Sequence, residues 1–272
     1  MQNTTKSTPV TPLSAKSGEL SGAPVAVFDS GIGGICVLRE LHRILPCEDL
    51  VYFGDGQNAP YGEKPPAEVR ALILQHAARL LERAKALVLA CNTATALAAS
   101  ELRRRYPDRL IVGMEPALKP AALVGEHPRV LLLATQTTLQ QPKLAALLEK
   151  YQKNATVMPL SAPRIVDLVE KGEVNSPALA AYLADLLSAH VAPPPDALVL
   201  GCTHFVFARR AILQALGCEI PVFDGVGGTA AELARRLTAL GLQNPTPHRG
   251  TVTFTSSKPG ALPLYAKMFF EN

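Results

Sequence analysis

Ala86-Leu-Val-Leu-Ala-Cys91-Asn92-Thr93 and Ala197-Leu-Val-Leu-Gly-Cys202-Thr203-His204 are near copies of one block, one in each half of the chain. Each is a short, wholly apolar run, as a strand buried on both faces requires, and each runs into a cysteine. Apolar residues at helical spacing then follow, over Ala94 to Tyr106 and over Phe205 to Leu216. A buried strand that gives way to a helix through a thiol, found twice, predicts two related halves that each present one cysteine at a strand's carboxyl end.

Working outward, the same strand, turn and helix alternation fills the chain from Pro24 onward. Strands are predicted at Val25 to Phe28, Leu50 to Phe53, Leu110 to Gly113, Val130 to Ala134, Thr156 to Leu160 and Ile220 to Phe223. Helices are predicted at Ile35 to Leu45, Pro66 to Arg83, Pro116 to Val124, Leu139 to Lys150, Ile165 to Lys171, Pro177 to His190, Gly228 to Leu240 and Leu262 to Phe270. Thr251 to Thr255 is read as an antiparallel edge strand. Such alternation implies an α/β fold of mainly parallel sheets with helices on both faces. A second parallel, Val25-Ala-Val-Phe-Asp29-Ser30 against Val130-Leu-Leu-Leu-Ala134-Thr135, supports two sheets rather than one. A ligand would then sit in the crevice outside the strands' carboxyl ends, where both cysteines fall.

The composition suits this reading. The 272 residues are 48% hydrophobic, enough for substantial cores, and the net charge of +4 is mild. The basic residues are scattered except for Arg103-Arg104-Arg105, which reads as a solvated helix face rather than a nucleic-acid stripe, so no direct nucleic-acid role is expected. Five cysteines without framework spacing predict free thiols in a reducing compartment, the cytoplasm by default. Residues 1–23 are rich in Thr, Ser and Lys and are read as a disordered leader, not a signal peptide, and no run has the length of a membrane span.

Asp29-Ser30-Gly31-Ile32-Gly33-Gly34 follows a strand and opens a helix, so its glycines let backbone approach a ligand and its amides can meet an anion. It matches neither a dinucleotide fingerprint nor a phosphate loop. Pro60-Tyr61-Gly62 lies in a polar loop at another carboxyl end, where the Tyr61 phenol and the Gly62 amide are read as facing substrate. The dipole of the helix behind each of Cys91 and Cys202 is expected to lower the thiol pKa toward neutrality. Cys36, Cys47 and Cys218 sit in ordinary contexts and are read as structural.

The paired cysteines admit four readings. A redox pair would normally be Cys-x-x-Cys, which is absent. A metal site of Cys91, Cys202 and His204 lacks a fourth ligand and the short spacings zinc prefers. A nucleophilic Cys202 with His204 leaves Cys91 unexplained. Two thiols on opposite faces of one carbon, one removing a proton and the other returning it, use both and invert a stereocentre. No lysine motif suggests pyridoxal phosphate, so no cofactor is expected.

With these motifs in place, the chain resembles the glutamate racemases of the cofactor-independent aspartate/glutamate racemase superfamily. The resemblance runs from about Val25 to the C-terminus. It rests on Phe28-Asp29-Ser30-Gly31-Ile32-Gly33-Gly34, Pro60-Tyr61-Gly62, Cys91-Asn92-Thr93-Ala94, Thr135 with Thr138, Leu168-Val169-Glu170 and Gly201-Cys202-Thr203-His204. It implies two pseudo-symmetric α/β domains, residues 24–114 with 224–272 and residues 115–223, with the active site at their interface. It implies that Cys91 acts on the D-enantiomer and Cys202 on the L-enantiomer, assisted by Asp29 and His204, with Glu170 on the Cys202 side. Substrate would be held by Asp29, Ser30, Tyr61, Gly62, Asn92, Thr93, Thr135, Thr138, Thr203 and His204. D-Glutamate as product implies peptidoglycan synthesis, with aspartate racemisation as the alternative. The resemblance further implies a homodimer, and raises a peptidoglycan-precursor activator and DNA gyrase as partners. The chain departs from the family's usual pattern at Gln57-Asn58-Ala59, Thr137, Phe205-Val206 and the glycine-rich Asp224 to Gly228.

Overall fold

The structure, a computed structural model, describes residues 20–271 apart from 191, 247 and 248. Residues 1–19 of the span read as a leader lie outside the described residues. Its end does not: the Ser21 carbonyl accepts the Lys85 ammonium at 2.5 Å, and Lys85 also pairs with Glu48 at 2.5 Å. Both charged side chains are buried, and a buried ammonium needs such partners.

Nine strands form two wholly parallel sheets among the described residues. The first sheet holds β1 (Val25–Asp29), β2 (Leu50–Gly54), β3 (Ala86–Leu89), β4 (Leu110–Gly113) and β9 (Val252–Ser256) in the order β4-β3-β1-β2-β9. The second holds β5 (Arg129–Ala134), β6 (Thr156–Ser161), β7 (Ala197–Leu200) and β8 (Val222–Asp224) in the order β6-β5-β7-β8. If β1 to β4 are matched to β5 to β8, the order of neighbours is the same in both sheets. The repeated Ala-Leu-Val-Leu runs are the equivalent strands β3 and β7, each beside the first strand of its sheet. The pseudo-symmetry expected from the repeated block is therefore present in the topology.

The strands are continuous apolar runs because both faces are covered. In β1, Val25 and Val27 face one core while Ala26 and Phe28 face another, under α2 (Pro66–Leu81) and α3 (Asn92–Arg105). In β5, Leu131 and Leu133 share the core of Val25 and Val27, so one apolar cluster runs beneath both sheets. Val130 and Leu132 point the opposite way, into a third cluster. Between the sheets the cluster is continued by α1 (Ile35–Ile44), whose Ile35, Val37, Leu38 and Leu41 are buried. Each such aliphatic side chain contributes about 1.5–3 kcal/mol by its removal from water, which is what holds the halves together.

Three expectations need correction. The strand near residue 251 is at an edge but pairs parallel to β2, from Leu50 with Val252 to Gly54 with Ser256. The intervening helix α11 (Val226–Ala239) returns the chain to the amino end of the sheet, so β9 starts where β2 starts. The helix expected over Leu139 to Lys150 is two, α5 (Gln136–Leu139) and α6 (Pro142–Tyr151). Pro142 holds Gln141 in an extended conformation, φ −77° and ψ 134°, and so separates them. The helix after Cys202 also divides, into α9 (Thr203–Phe207) and α10 (Arg209–Leu216), at the buried Ala208.

Two chain crossings join the sheets, one after β4 through Met114 to Pro116 and one after β8 through Gly225. They touch: a Cβ at Gly225 would lie 2.5 Å from the Glu115 carbonyl oxygen. The carboxyl ends of β1, β3, β5 and β7 meet across the crevice between the sheets. No helix among the described residues is long and apolar enough to cross a membrane.

Candidate active site

Cys91 and Cys202 line one narrow cavity. Each is the residue before a helix, α3 or α9, and each is buried, 6% and 7% exposed. Their surroundings differ. The Cys91 sulfur accepts the Ala94 N–H at 3.4 Å, capping α3, and its S–H donates to Ser30 Oγ at 3.7 Å. The Cys202 sulfur makes no cap bond and lies 3.7 Å from His204 Nδ1.

The Cys202 side carries a relay of titratable groups. His204 Nε2–H donates to Glu170 Oε1 at 2.6 Å, and the same oxygen accepts the Ile32 N–H at 2.8 Å. Glu170, on α7 (Pro163–Glu170) of the second half, thus also grips the Asp29 to Gly34 loop of the first. Gly31 is required there, since a Cβ on it would overlap the Glu170 carboxylate. Burial acts to depress the His204 pKa, but its contacts with Cys202 and Glu170 outweigh that and raise it well above the usual imidazole value. Burial likewise acts to raise the Glu170 pKa, and the His204 bond wins and lowers it. Both directions describe an imidazolium paired with a carboxylate.

The Cys91 side behaves in the opposite way. Burial, followed by the negative charge of Asp29, pushes its pKa up to about 12. The expected lowering by the helix dipole is overturned for this thiol, because desolvation and a neighbouring carboxylate exceed one helix-end hydrogen bond. Asp29 is itself fully buried, and burial raises its pKa. Its Oδ1 accepts the Gly31 N–H at 2.8 Å and its Oδ2 accepts the Thr203 hydroxyl at 3.2 Å, so it fastens the start of the helix after Cys202 to the first sheet.

Of the residues singled out in the sequence, Ser30, Tyr61, Gly62, Thr93, Thr135 and His204 line the cavity with the two cysteines. Thr93, Thr135 and Thr138 form a cluster of hydroxyls across the crevice, with Oγ1 separations of 3.2, 3.3 and 2.9 Å. Asp29, Thr138, Thr203 and Glu170 stand one layer back and bond to the groups just described. Asn92 lies apart. Its buried Oδ1 and Nδ2 have no hydrogen-bond partner, and it lines a second cavity of about 260 Å³ between α3 and α6. Tyr61 also departs from expectation: its ring walls the cavity, but its hydroxyl donates to Asp55 Oδ2 at 2.6 Å.

Sequence reading missed Asp55 and gave Thr137 no role. Asp55 follows the last residue of β2 as Cys91 and Cys202 follow their strands, and that placement was the available signal. Thr137 is buried and its hydroxyl donates to the Gly62 carbonyl at 2.7 Å. No group of three or more His, Cys, Asp or Glu side chains among the described residues is arranged to hold a metal ion.

Two thiols facing one cavity from equivalent positions, one held protonated and one beside an imidazolium, have the equipment for proton transfer at two faces of a small molecule. A sequence profile of the family described as Asp/Glu/Hydantoin racemase matches residues 37–233. The chain is 39% identical over 240 residues to a glutamate racemase of Clostridium perfringens, covering 88% of this chain and 92% of that one. It is similar to the glutamate racemase of Francisella tularensis in complex with D-glutamate, with a TM-score of 0.79 at 26% identity over 93% of this chain and 95% of that one. It is also similar to the Escherichia coli glutamate racemase in complex with L-glutamate and the activator UDP-MurNAc-Ala, with a TM-score of 0.79 at 29% identity over 92% and 96% of the two chains.

Proposed function

The chain belongs to the Asp/Glu/hydantoin racemase family and is an amino-acid racemase, an isomerase, and from that premise we propose that it interconverts L- and D-glutamate by a two-thiol mechanism. The observation that carries this reading is the meeting of Cys91 and Cys202 in one cavity, Cys91 beside Ser30 and Cys202 beside His204. The substrate assignment draws on the glutamate racemases the chain is similar to.

Cys91, whose pKa is raised, carries a proton to donate, and the Cys202 sulfur, beside the His204 imidazolium that Glu170 supports, is the base toward L-glutamate. With L-glutamate bound, the Cys202 thiolate takes the α-proton while the Cys91 S–H delivers its own to the opposite face. One C–H bond breaks and another forms, and the sulfurs exchange protonation states. The reverse turnover starts from the Cys91 thiolate, a strong base because its pKa is high. Hydroxyls of Ser30, Thr93 and Thr135 on the cavity wall supply hydrogen bonds to the carboxylate as it takes up enolate-like charge. The product, D-glutamate, serves peptidoglycan synthesis in the cytoplasm.

The test is α-proton exchange in deuterated water with each enantiomer of glutamate and of aspartate. Exchange and racemisation of glutamate are expected. Exchange of aspartate but not glutamate refutes the substrate assignment. Cys91→Ala and Cys202→Ala are each expected to abolish racemisation without loss of the fold, and full activity in either refutes the two-thiol mechanism.

A further inference from the structure

The 3-10 turn Tyr61–Glu63 at the edge of the cavity is held from both halves of the molecule by residues that take no part in the proton transfer above. From the first half, Asp55 Oδ2 accepts the Tyr61 hydroxyl at 2.6 Å. Asp55 is fully buried and well anchored: its carboxylate accepts the Asn58 amide at 2.9 and 3.1 Å, lies 3.5 Å from His76 Nε2, and its N–H donates to the Asp29 carbonyl at 3.0 Å. Burial would raise its pKa, yet the bonds from His76, Ser257, Tyr61 and Asn58 lower it to about 2. From the second half, the only hydroxyl bond to the turn among the described residues is Thr137 Oγ1 to the Gly62 carbonyl at 2.7 Å. The two surfaces are in close contact, since a Cβ at Gly62 would lie 2.8 Å from Thr135 Cβ.

The cavity beside this turn is narrow, with room of about 20 Å³. That is room for roughly one or two waters and not for an amino acid, so a substrate has to part the walls on its way in and out. The contacts that join the halves around the cavity are unequal. Glu170 to Ile32 and Thr203 to Asp29 each involve a carboxylate, whereas Thr137 to Gly62, like Thr93 with Thr135 and Thr138, is a bond between neutral groups, the kind about half as strong. These neutral bonds therefore yield before the charged ones, and of them only Thr137 to Gly62 holds the turn.

We propose that the turn Tyr61–Glu63 is a clasp over the cavity, pivoting on Asp55 through the Tyr61 hydroxyl and latched to the other half by Thr137 through the Gly62 carbonyl. Thr137 sets how fast the clasp opens, and Asp55 sets where it seats when closed. Both are positioning residues. The inference rests on the racemase reading only for its kinetic assay, and an exchange measurement tests it independently of any substrate.

The test uses the full chain with Thr137→Val, which keeps the shape and removes the donor, and Asp55→Asn. Amide hydrogen exchange in the segment 58–64 is expected to quicken about three- to tenfold in Thr137→Val, the value of one neutral hydrogen bond. On this proposal the latch closes again over bound substrate, so binding and release of glutamate should quicken by that factor, with KM changed by less than about twofold and kcat not lowered. Asp55→Asn should instead lower kcat, because Tyr61 and Gly62 no longer seat beside Cys91. Unchanged exchange in Thr137→Val overturns the proposal, and so does a Thr137→Val enzyme that raises KM and lowers kcat as a misfolded wall would. If the wild type fails to racemise glutamate, the substrate assignment falls and the exchange result alone decides on the clasp.

Discussion

Replacing Glu170 by Gln asks whether the Glu170 contact keeps His204 charged beside Cys202. The Glu170 oxygen that accepts His204 Nε2–H at 2.6 Å also accepts the Ile32 N–H at 2.8 Å. Gln keeps the shape and a carbonyl oxygen for these donors but carries no charge. A hydrogen bond to a charged group contributes about 1.5–3 kcal/mol and a neutral one about 0.5–1.5 kcal/mol, so the imidazolium loses roughly 1–2 kcal/mol of support. At 1.36 kcal/mol per pKa unit the imidazolium beside Cys202 becomes about five- to thirtyfold less favoured. The kcat for L-glutamate, followed by circular dichroism, is expected to fall by that factor. The basic limb of its pH profile should move to lower pH, because the His204 pKa, which the Glu170 contact helps to raise, falls. The thermal midpoint should change little, since the Ile32 amide keeps an acceptor. A Glu170→Gln enzyme with undiminished kcat and an unmoved basic limb would refute this account of the relay.

Gly33→Ala would place a Cβ 2.5 Å from His204 Nδ1 and 2.8 Å from its Cε1, displacing the ring from Cys202. We expect racemisation to fall about 100-fold, the scale of a misplacement of about 1 Å, and a variant with wild-type kcat would show that the ring position does not matter. Asp55 has a folded-state pKa of about 2 against an ordinary value of 3.8. A depressed carboxyl contributes stability that is present above the unfolded value and is lost as pH falls through the folded one. Asp55→Asn should thus be less stable than wild type at neutral pH, with the difference closing between pH 3.8 and about 2. A denaturant midpoint difference that persists unchanged across that window would contradict the assignment.

Much of the molecule was legible where a local signal and a global constraint coincide. The runs Ala86 to Leu89 and Ala197 to Leu200 are strands because only a strand covered on both faces tolerates an uninterrupted apolar run, and their likeness gave the two sheets. The direction of β9 was not legible, because apolar alternation in Val252 to Ser256 carries no information on the end from which the chain arrives. Pro142 signals a helix start as plainly as any residue, yet the apolar spacing continues across it and hid the break. Within the site, strand ends identified Asp29, Cys91 and Cys202. Chain-distant partners such as Thr137 with Gly62 have no sequence signature, since only the fold brings residues 75 positions apart together. The Cys91 pKa was misjudged because a helix end is visible in sequence and the depth of burial is not.

The parallel pairing of β9 with β2 also bears on how the molecule comes into being. Strands β5 to β8 are contiguous along the chain, and their sheet can close as soon as residue 224 has been synthesised. The first sheet begins earlier and finishes later, because Leu50 waits for a partner at Val252. During synthesis the outer edge of β2 stays open, its peptide groups unpaired, while the whole second half is made and folds. A long-range pairing of this kind forms late and slowly. The half of the molecule that carries Cys91 is the last to close, so the reactive pair assembles only when nearly the entire chain has emerged.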